Sequence, residues 1–182
     1  YLTTILEAIR DGVRLRVMHQ GFSKSEAKSF TIAPYGLKVF KQRWYVLAQS
    51  EYPDGRLLVY SLDRFTEVER TDISYTIPAD FDVNEHFRSF YGVSCISNAQ
   101  PEIVQLRIDA SQVKFFRTLP LHHSQEEIET TDAYSVFQYY LVPTFELTKE
   151  ILSNGPFIEV LRPVSLRKEI QAKAKKMAEM YK

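Results

Sequence analysis

Two runs decide how this chain folds: Arg43-Trp44-Tyr45-Val46-Leu47-Ala48-Gln49-Ser50, and Leu57-Leu58-Val59-Tyr60-Ser61-Leu62-Asp63-Arg64-Phe65. Between them stands Tyr52-Pro53-Asp54-Gly55. Pro presets a turn φ and Gly supplies a positive one, so the two runs are expected to form an antiparallel hairpin. With its turn near Pro53-Asp54, that hairpin sets Arg43 roughly opposite Arg64. Two cations so placed repel unless an anion sits between them, and Asp63 is expected to point to the other face. Trp44 and Tyr45, adjacent on a strand, face opposite sides. A core position is expected for Trp44, because buried indoles dominate small cores, which leaves Tyr45 to line a groove.

Strand-like segments at 14–22 and 30–40 precede the hairpin, and the run after the turn continues to 70. Several short strands within about 70 residues suggest a small β-barrel. Ahead of them, Thr4-Ile5-Leu6-Glu7 reads as a capping box for a helix over 4–11 that ends at Gly12. After them, Asp82-Val83-Asn84-Glu85 opens a second helix, with Val83, Phe87 and Phe90 on one face and Gly92 at its end. Periodicity is lost over 92–101, and the domain boundary is expected there, giving domains 1–97 and 98–182.

The second half reads β-α-β-β-α-β, the ferredoxin-like order. Strands are expected at 103–108, 127–131, 134–142 and 157–161, with helices from the Asp109 cap and from Thr144. A last helix starts at Ser165, with Leu166, Ile170, Ala174, Met177 and Tyr181 in one stripe. The fold class expected is therefore α+β.

Charge narrows the function. The chain of 182 residues carries 23 Lys/Arg and 23 Asp/Glu, so no global field draws in duplex DNA. Any nucleic-acid contact must come from a local patch. Lys24, Lys28, Lys38, Lys41 and Arg43 stand against Glu26 alone. Such a run is either a solvated face or, beside Tyr35, Phe40 and Trp44, a platform for stacking bases and holding phosphates. One cysteine, Cys95, forms no internal disulfide and suits a reducing cytoplasm. No segment is apolar enough to span a membrane. No nucleophile motif, glycine-rich phosphate loop or metal-ligand spacing is present, so no enzyme, cofactor or metal is expected. His122 and His123, adjacent on an extended chain, would point apart and chelate one ion poorly. The chain starts on a helix without an initiator Met, and a fragment of a longer protein is expected.

Trp44-Tyr45-Val46 followed by Leu62-Asp63-Arg64-Phe65 resembles the WYL domain, with Leu6–Ile9, Gly12 and Pro34 also in place. The second half resembles the C-terminal extension, WCX, that follows many WYL domains. Its matching residues include Leu106-Arg107, His123-Ser124-Gln125, Gly155-Pro156 and Glu159-Val160-Leu161. The resemblance implies an Sm-like, SH3-type barrel beside an N-terminal helix-turn-helix domain, acting as the effector-sensing part of a bacterial transcriptional regulator. Val46 replaces the family's Leu, His19 stands where many members have Tyr, and Ser61 where many have Arg. Losing that Arg removes one cation that could hold an anionic ligand.

The ligand-binding residues expected are His19, Tyr35, Lys41, Arg43, Tyr45, Ser61, Arg64 and His123. The effector expected is nucleotide-like or an oligonucleotide, DNA being reached through the helix-turn-helix part, and a homodimer is expected. The alternatives are a direct RNA- or DNA-binding Sm-like module, whose binding would fall steeply with salt, and a pure dimerisation module.

Overall fold

Ile5 and Ala8 are fully buried on one face of helix α1 (Leu2–Asp11). Gly12 closes the helix in the left-handed region (φ 63°), its N–H reaching the Ala8 and Ile9 carbonyls. The Thr4 capping box does not form. The helix begins a turn earlier, with Tyr1 at its N-cap and no side-chain cap, and the Glu7 carboxylate pairs with Arg70 instead (3.5 Å). This computed structural model describes residues 1–22, 24–51 and 55–182. It divides into two compact units, Tyr1–His86 and Phe87–Lys182.

In the first unit, β1 (Val13–His19), β2 (Lys28–Phe40), β3 (Arg43–Ser50), β4 (Leu57–Ser61) and β5 (Phe65–Ser74) form one antiparallel sheet in the order β4-β3-β2-β1-β5. The expected hairpin is β3–β4. Residues 52–54 of its turn lie outside the described residues, and Gly55 has φ 57°. A three-residue 3-10 turn, Leu62–Arg64, carries the chain from edge strand β4 to edge strand β5. So short a link between opposite edges forces the sheet to curl. The barrel expected from the sequence is nevertheless not closed: among the described residues no ladder joins β4 to β5. β4 stops at Ser61, and the 3-10 turn makes the two strands follow end to end rather than side by side. Register shifts between Pro34 and Gly36, where a Cβ on Gly36 would come 2.6 Å from Val83.

The inner face is packed by Ile5, Ala8, Leu15, Val17, Ile32, Val46, Ala48 and Phe65. Burying each of the larger side chains contributes about 1.5–3 kcal/mol. Trp44 does not join them; it is 43 % exposed. It shares a strand face with Val46, but the β2–β3 arm runs past the edge of the core, pairing Trp44 with exposed Val39 and turning at Lys41-Gln42 (φ 46° and 64°). A two-residue hairpin turn needs positive φ at both positions.

Helix α2 (Val83–Phe87) starts where expected, with Asp82 Oδ1 accepting the Asn84 N–H at 2.6 Å, but it ends well before Gly92. Residues 87–97, counted above with the first half, bond into the second. Tyr91 donates to Glu150 (2.8 Å) and Ser94 to Glu146 (2.6 Å), and the Val142 N–H reaches the Ser89 carbonyl (2.8 Å).

The second unit runs β6 (Glu102–Asp109), α3 (Ala110–Thr118), β7 (Glu126–Thr130), β8 (Tyr134–Leu141), α4 (Phe145–Ser153), β9 (Ile158–Arg162) and α5 (Val164–Glu179). Its antiparallel sheet has the order β7-β8-β6-β9. Asp109 caps α3 by accepting from the Ser111 N–H, and Thr144 caps α4 by accepting from the Leu147 N–H, both as the sequence indicates. Leu106, Ile108, Phe137, Tyr139, Leu141 and Ile151 fill the core. Of the stripe expected on α5, Leu166 is buried and Ile170 half-buried, while Ala174, Met177 and Tyr181 are exposed.

Candidate functional site

His19 ends β1, where the core gives way to an opening. Its ring packs edge-on against Tyr60 (5.6 Å between centroids), Phe65 (5.7 Å) and Phe30 (6.2 Å). Phe30 and Tyr60 lie 5.5 Å apart and rest on the core. Together with Leu58, Ser29 and Ser50 they wall a chamber of about 590 Å³, with Lys24, Glu26, Lys28 and Glu51 at its sides. A smaller recess of about 270 Å³ is lined by Gln20, Phe22, Asp63, Arg64 and Thr66. Gly21 and Lys24 line both, so the two adjoin, and together they are called the cleft.

Arg64 is the notable group in the recess. Its guanidinium lies over the Phe22 ring at 4.2 Å, and the Gln20 N–H holds its carbonyl at 2.9 Å. Its Nε is buried and has no hydrogen-bond partner among the described residues. Nor does any carboxylate of those residues form an ion pair with it, because the neighbouring Asp63 is already engaged. Asp63 accepts from Arg43 Nη1 at 2.6 Å and from the Ser61 hydroxyl. The expected Arg43–Arg64 juxtaposition is thus corrected. Tyr45 pairs with Ser61 and Val46 with Tyr60, so continuing the register sets residue 63, not 64, across from Arg43. The 3-10 turn also breaks strand alternation, so Asp63 turns toward Arg43 rather than away from it.

Burial, and then the charge of Arg64, hold the His19 imidazole below its ordinary pKa. The ring therefore presents a neutral aromatic wall near neutral pH.

Of the residues expected from sequence, His19 and Arg64 border the cleft directly. Arg43 and Ser61 reach it through Asp63, and Tyr45 sits beside Ser61 in the register. Lys41 is at the tip of the β2–β3 arm, 5.8 Å from the Phe40 ring. Tyr35 is buried in a separate cluster with Tyr75 (6.1 Å) and Phe81 (5.0 Å). His123 belongs to the second unit. There the two histidines do not point apart: in a turn rather than a strand, the Nε2 atoms of His122 and His123 both reach the Arg88 carbonyl, at 2.7 and 2.9 Å. Among the described residues no three His, Cys, Asp or Glu side chains converge as a metal site.

Sequence reasoning missed Phe22, Phe30, Leu58 and Tyr60 as cleft residues. The available signal was parity: Leu58 and Tyr60 alternate on β4, and Phe30 faces Val17, two residues before His19. Lys24 and Lys28 were flagged only as part of a basic run.

Comparison with known proteins places the chain. Residues 1–70 match the WYL domain and residues 100–178 the WCX domain. No curated protein sequence matches the chain. Among solved structures, "Crystal structure of a CRISPR Cas-related protein" is similar with a TM-score of 0.56 at 13% identity, over 98% of this chain and 51% of that one. Proteasome accessory factor B/C (PafBC) of Arthrobacter aurescens matches with a TM-score of 0.44 at 19% identity, over 93% of this chain and 25% of that one. The chain thus spans about half the length of the first protein and a quarter of the second. No helix among the described residues is long and apolar enough to cross a membrane. With its two halves matched in order, the chain belongs to the WYL-domain family, as a WYL domain followed by a WCX domain.

Proposed function

We propose that this chain is the effector-sensing portion of a bacterial transcriptional regulator, and that the first unit binds a nucleotide or single-stranded nucleic-acid effector in the cleft beside Arg64. The observation that carries this reading is Arg64 itself. A guanidinium stacked on Phe22, with a buried Nε lacking an acceptor, is a donor prepared for an anion from outside the described residues. The curl of the first sheet and the β7-β8-β6-β9 order of the second support reading the units as Sm-like and ferredoxin-like. On this reading the protein performs no chemistry and works in the cytoplasm. The effector prefers one conformational or oligomeric state of the full regulator and shifts its DNA-binding part accordingly. The exposed Met177, Met180 and Tyr181 near the end of α5 support a homodimer, which light scattering tests.

Calorimetric titration with mononucleotides and a short single-stranded oligonucleotide tests the site. Arg64→Ala should keep the circular dichroism spectrum and lose about 1–3 kcal/mol of binding, the worth of one charge-assisted contact. A variant that binds as the parent does would falsify the assignment. A steep loss of binding with salt favours direct nucleic-acid binding through many phosphates.

A further inference from the structure

The cleft has two parts of different chemistry, and their arrangement narrows the effector. The chamber of about 590 Å³ has the size of a small-molecule pocket. It is walled by the His19, Phe30 and Tyr60 rings. Phe30 and Tyr60 pack against the core of the first unit, so the chamber has a floor. A groove for a strand must instead stay open at both ends and follow the backbone with cations. The adjoining recess holds Arg64, and Lys24 lines both. Charge is nearly balanced around the whole cleft. Lys24, Lys28 and Arg64 face Glu26 and Glu51, while Asp63 is taken up by Arg43. One surplus positive charge suits one phosphate group and offers little to a polyanion.

We propose that the occupant is a mononucleotide, its base laid against the wall that His19, Phe30 and Tyr60 form and its phosphate held by Arg64 and Lys24. Flat rings stack on the aromatic walls whatever the base. The Glu26 and Glu51 carboxylates and the Ser29 and Ser50 hydroxyls supply acceptors for an exocyclic amino group, which favours adenine, guanine or cytosine over uracil. The ribose bridges chamber and recess past Gly21, which brings no side chain to block it. This inference rests on the reading above, in which Arg64 holds an anion.

The test is calorimetry on the intact chain with AMP, GMP, inorganic phosphate and a short oligothymidylate, for the parent, Arg64→Ala and Ser29→Trp. Ser29 is exposed on β2 at the chamber wall, so an indole there fills the chamber without replacing a core residue. AMP or GMP should bind the parent at least about tenfold more tightly than inorganic phosphate, through stacking of the base. Ser29→Trp should abolish that advantage and leave phosphate binding intact. Nuclear Overhauser contacts between the base protons and the Phe30 and Tyr60 rings should appear in the parent complex, a readout independent of how any variant folds. If those contacts are missing and Ser29→Trp binds AMP and GMP as the parent does, the base lies elsewhere and only the Arg64 reading survives. The inference is equally overturned if oligothymidylate binds more tightly than either mononucleotide and is indifferent to Ser29→Trp. If Arg64→Ala changes no affinity, or no probe binds the parent, the anion site and the mononucleotide fall together.

Discussion

The two units use their arginines differently. In the second, Arg107 and Arg167 share the Glu159 carboxylate, and Arg117 grips Glu127 with two hydrogen bonds of 2.6 and 2.8 Å. In the first, Arg10 and Arg70 share Asp11 and Arg43 holds Asp63, but Arg64 lies against an aromatic ring with a buried donor unmatched among the described residues. Leaving a buried donor unmatched costs about 1–3 kcal/mol. These second-unit arginines are taken up by the unit's own carboxylates, although Glu146 Oε2 there is buried without a hydrogen-bond partner among the described residues. The first unit tolerates a local cost next to an open cleft, as binding sites do.

The largest expected effect concerns where the second unit begins. Phe87, Tyr91 and Val93 are buried, and burying such side chains contributes about 1.5–3 kcal/mol each. A fragment 98–182 should therefore be less stable than a fragment 87–182 by at least about 4 kcal/mol in urea denaturation. Equal stability would return residues 87–97 to the first half. Next comes Thr144→Ala. The hydroxyl donates to the Tyr91 carbonyl (2.9 Å) and caps α4 (3.3 Å), so its loss should cost about 1–2 kcal/mol and lower the unfolding midpoint. A negligible cost would show that the second unit is less tightly satisfied than its hydrogen bonds indicate.

A pH titration probes the first unit. Burial, then Arg64, lowers the pKa of His19; burial, then Lys38, lowers that of His86. Just below pH about 6.5 the unfolded chain binds more protons than the folded one, so stability is fully present above that pH. It declines as pH falls toward the folded values. Arg64→Ala should raise the His19 pKa, followed by its ring proton shifts in NMR. An unchanged titration would mean that Arg64 does not act on the ring. The smallest effect is at Arg117. Its guanidinium holds the Glu127 carboxyl down at about 2, and Arg117→Ala should return that carboxyl toward the ordinary range. Stability should change little, because the pair is exposed.

The second unit was legible in the sequence because its signals are local. Asp109 and Thr144 cap the helices they precede, and the β6-α3-β7-β8-α4-β9 order follows from period and turns. In the first unit the three strands up to Ser50 were read correctly. The run 57–70, expected as one strand, is two strands on opposite edges parted by a 3-10 turn, and such details depend on contacts between distant segments. Thr4-x-x-Glu7 has the form of a cap, yet Glu7 is drawn to Arg70. Trp44 reads as core, but where the β2–β3 arm leaves the core cannot be judged from β3 alone. Arg64 was singled out from the sequence, and the structure sets it in the lining of the recess. Its partner Phe22 was not, because a cation-ring contact across 42 positions leaves no periodicity to find.

The Gln20-to-Arg64 backbone bond has a consequence for folding order. It closes a long stretch of chain, and β5 must already lie against β1 for it to form. Pairing of segments so far apart in sequence pays its loop-closure entropy first and is slow. The recess around Arg64 is therefore expected to form only with that pairing. A ligand bound there recognises only finished molecules, and by mass action it raises the unfolding midpoint in step with its own concentration.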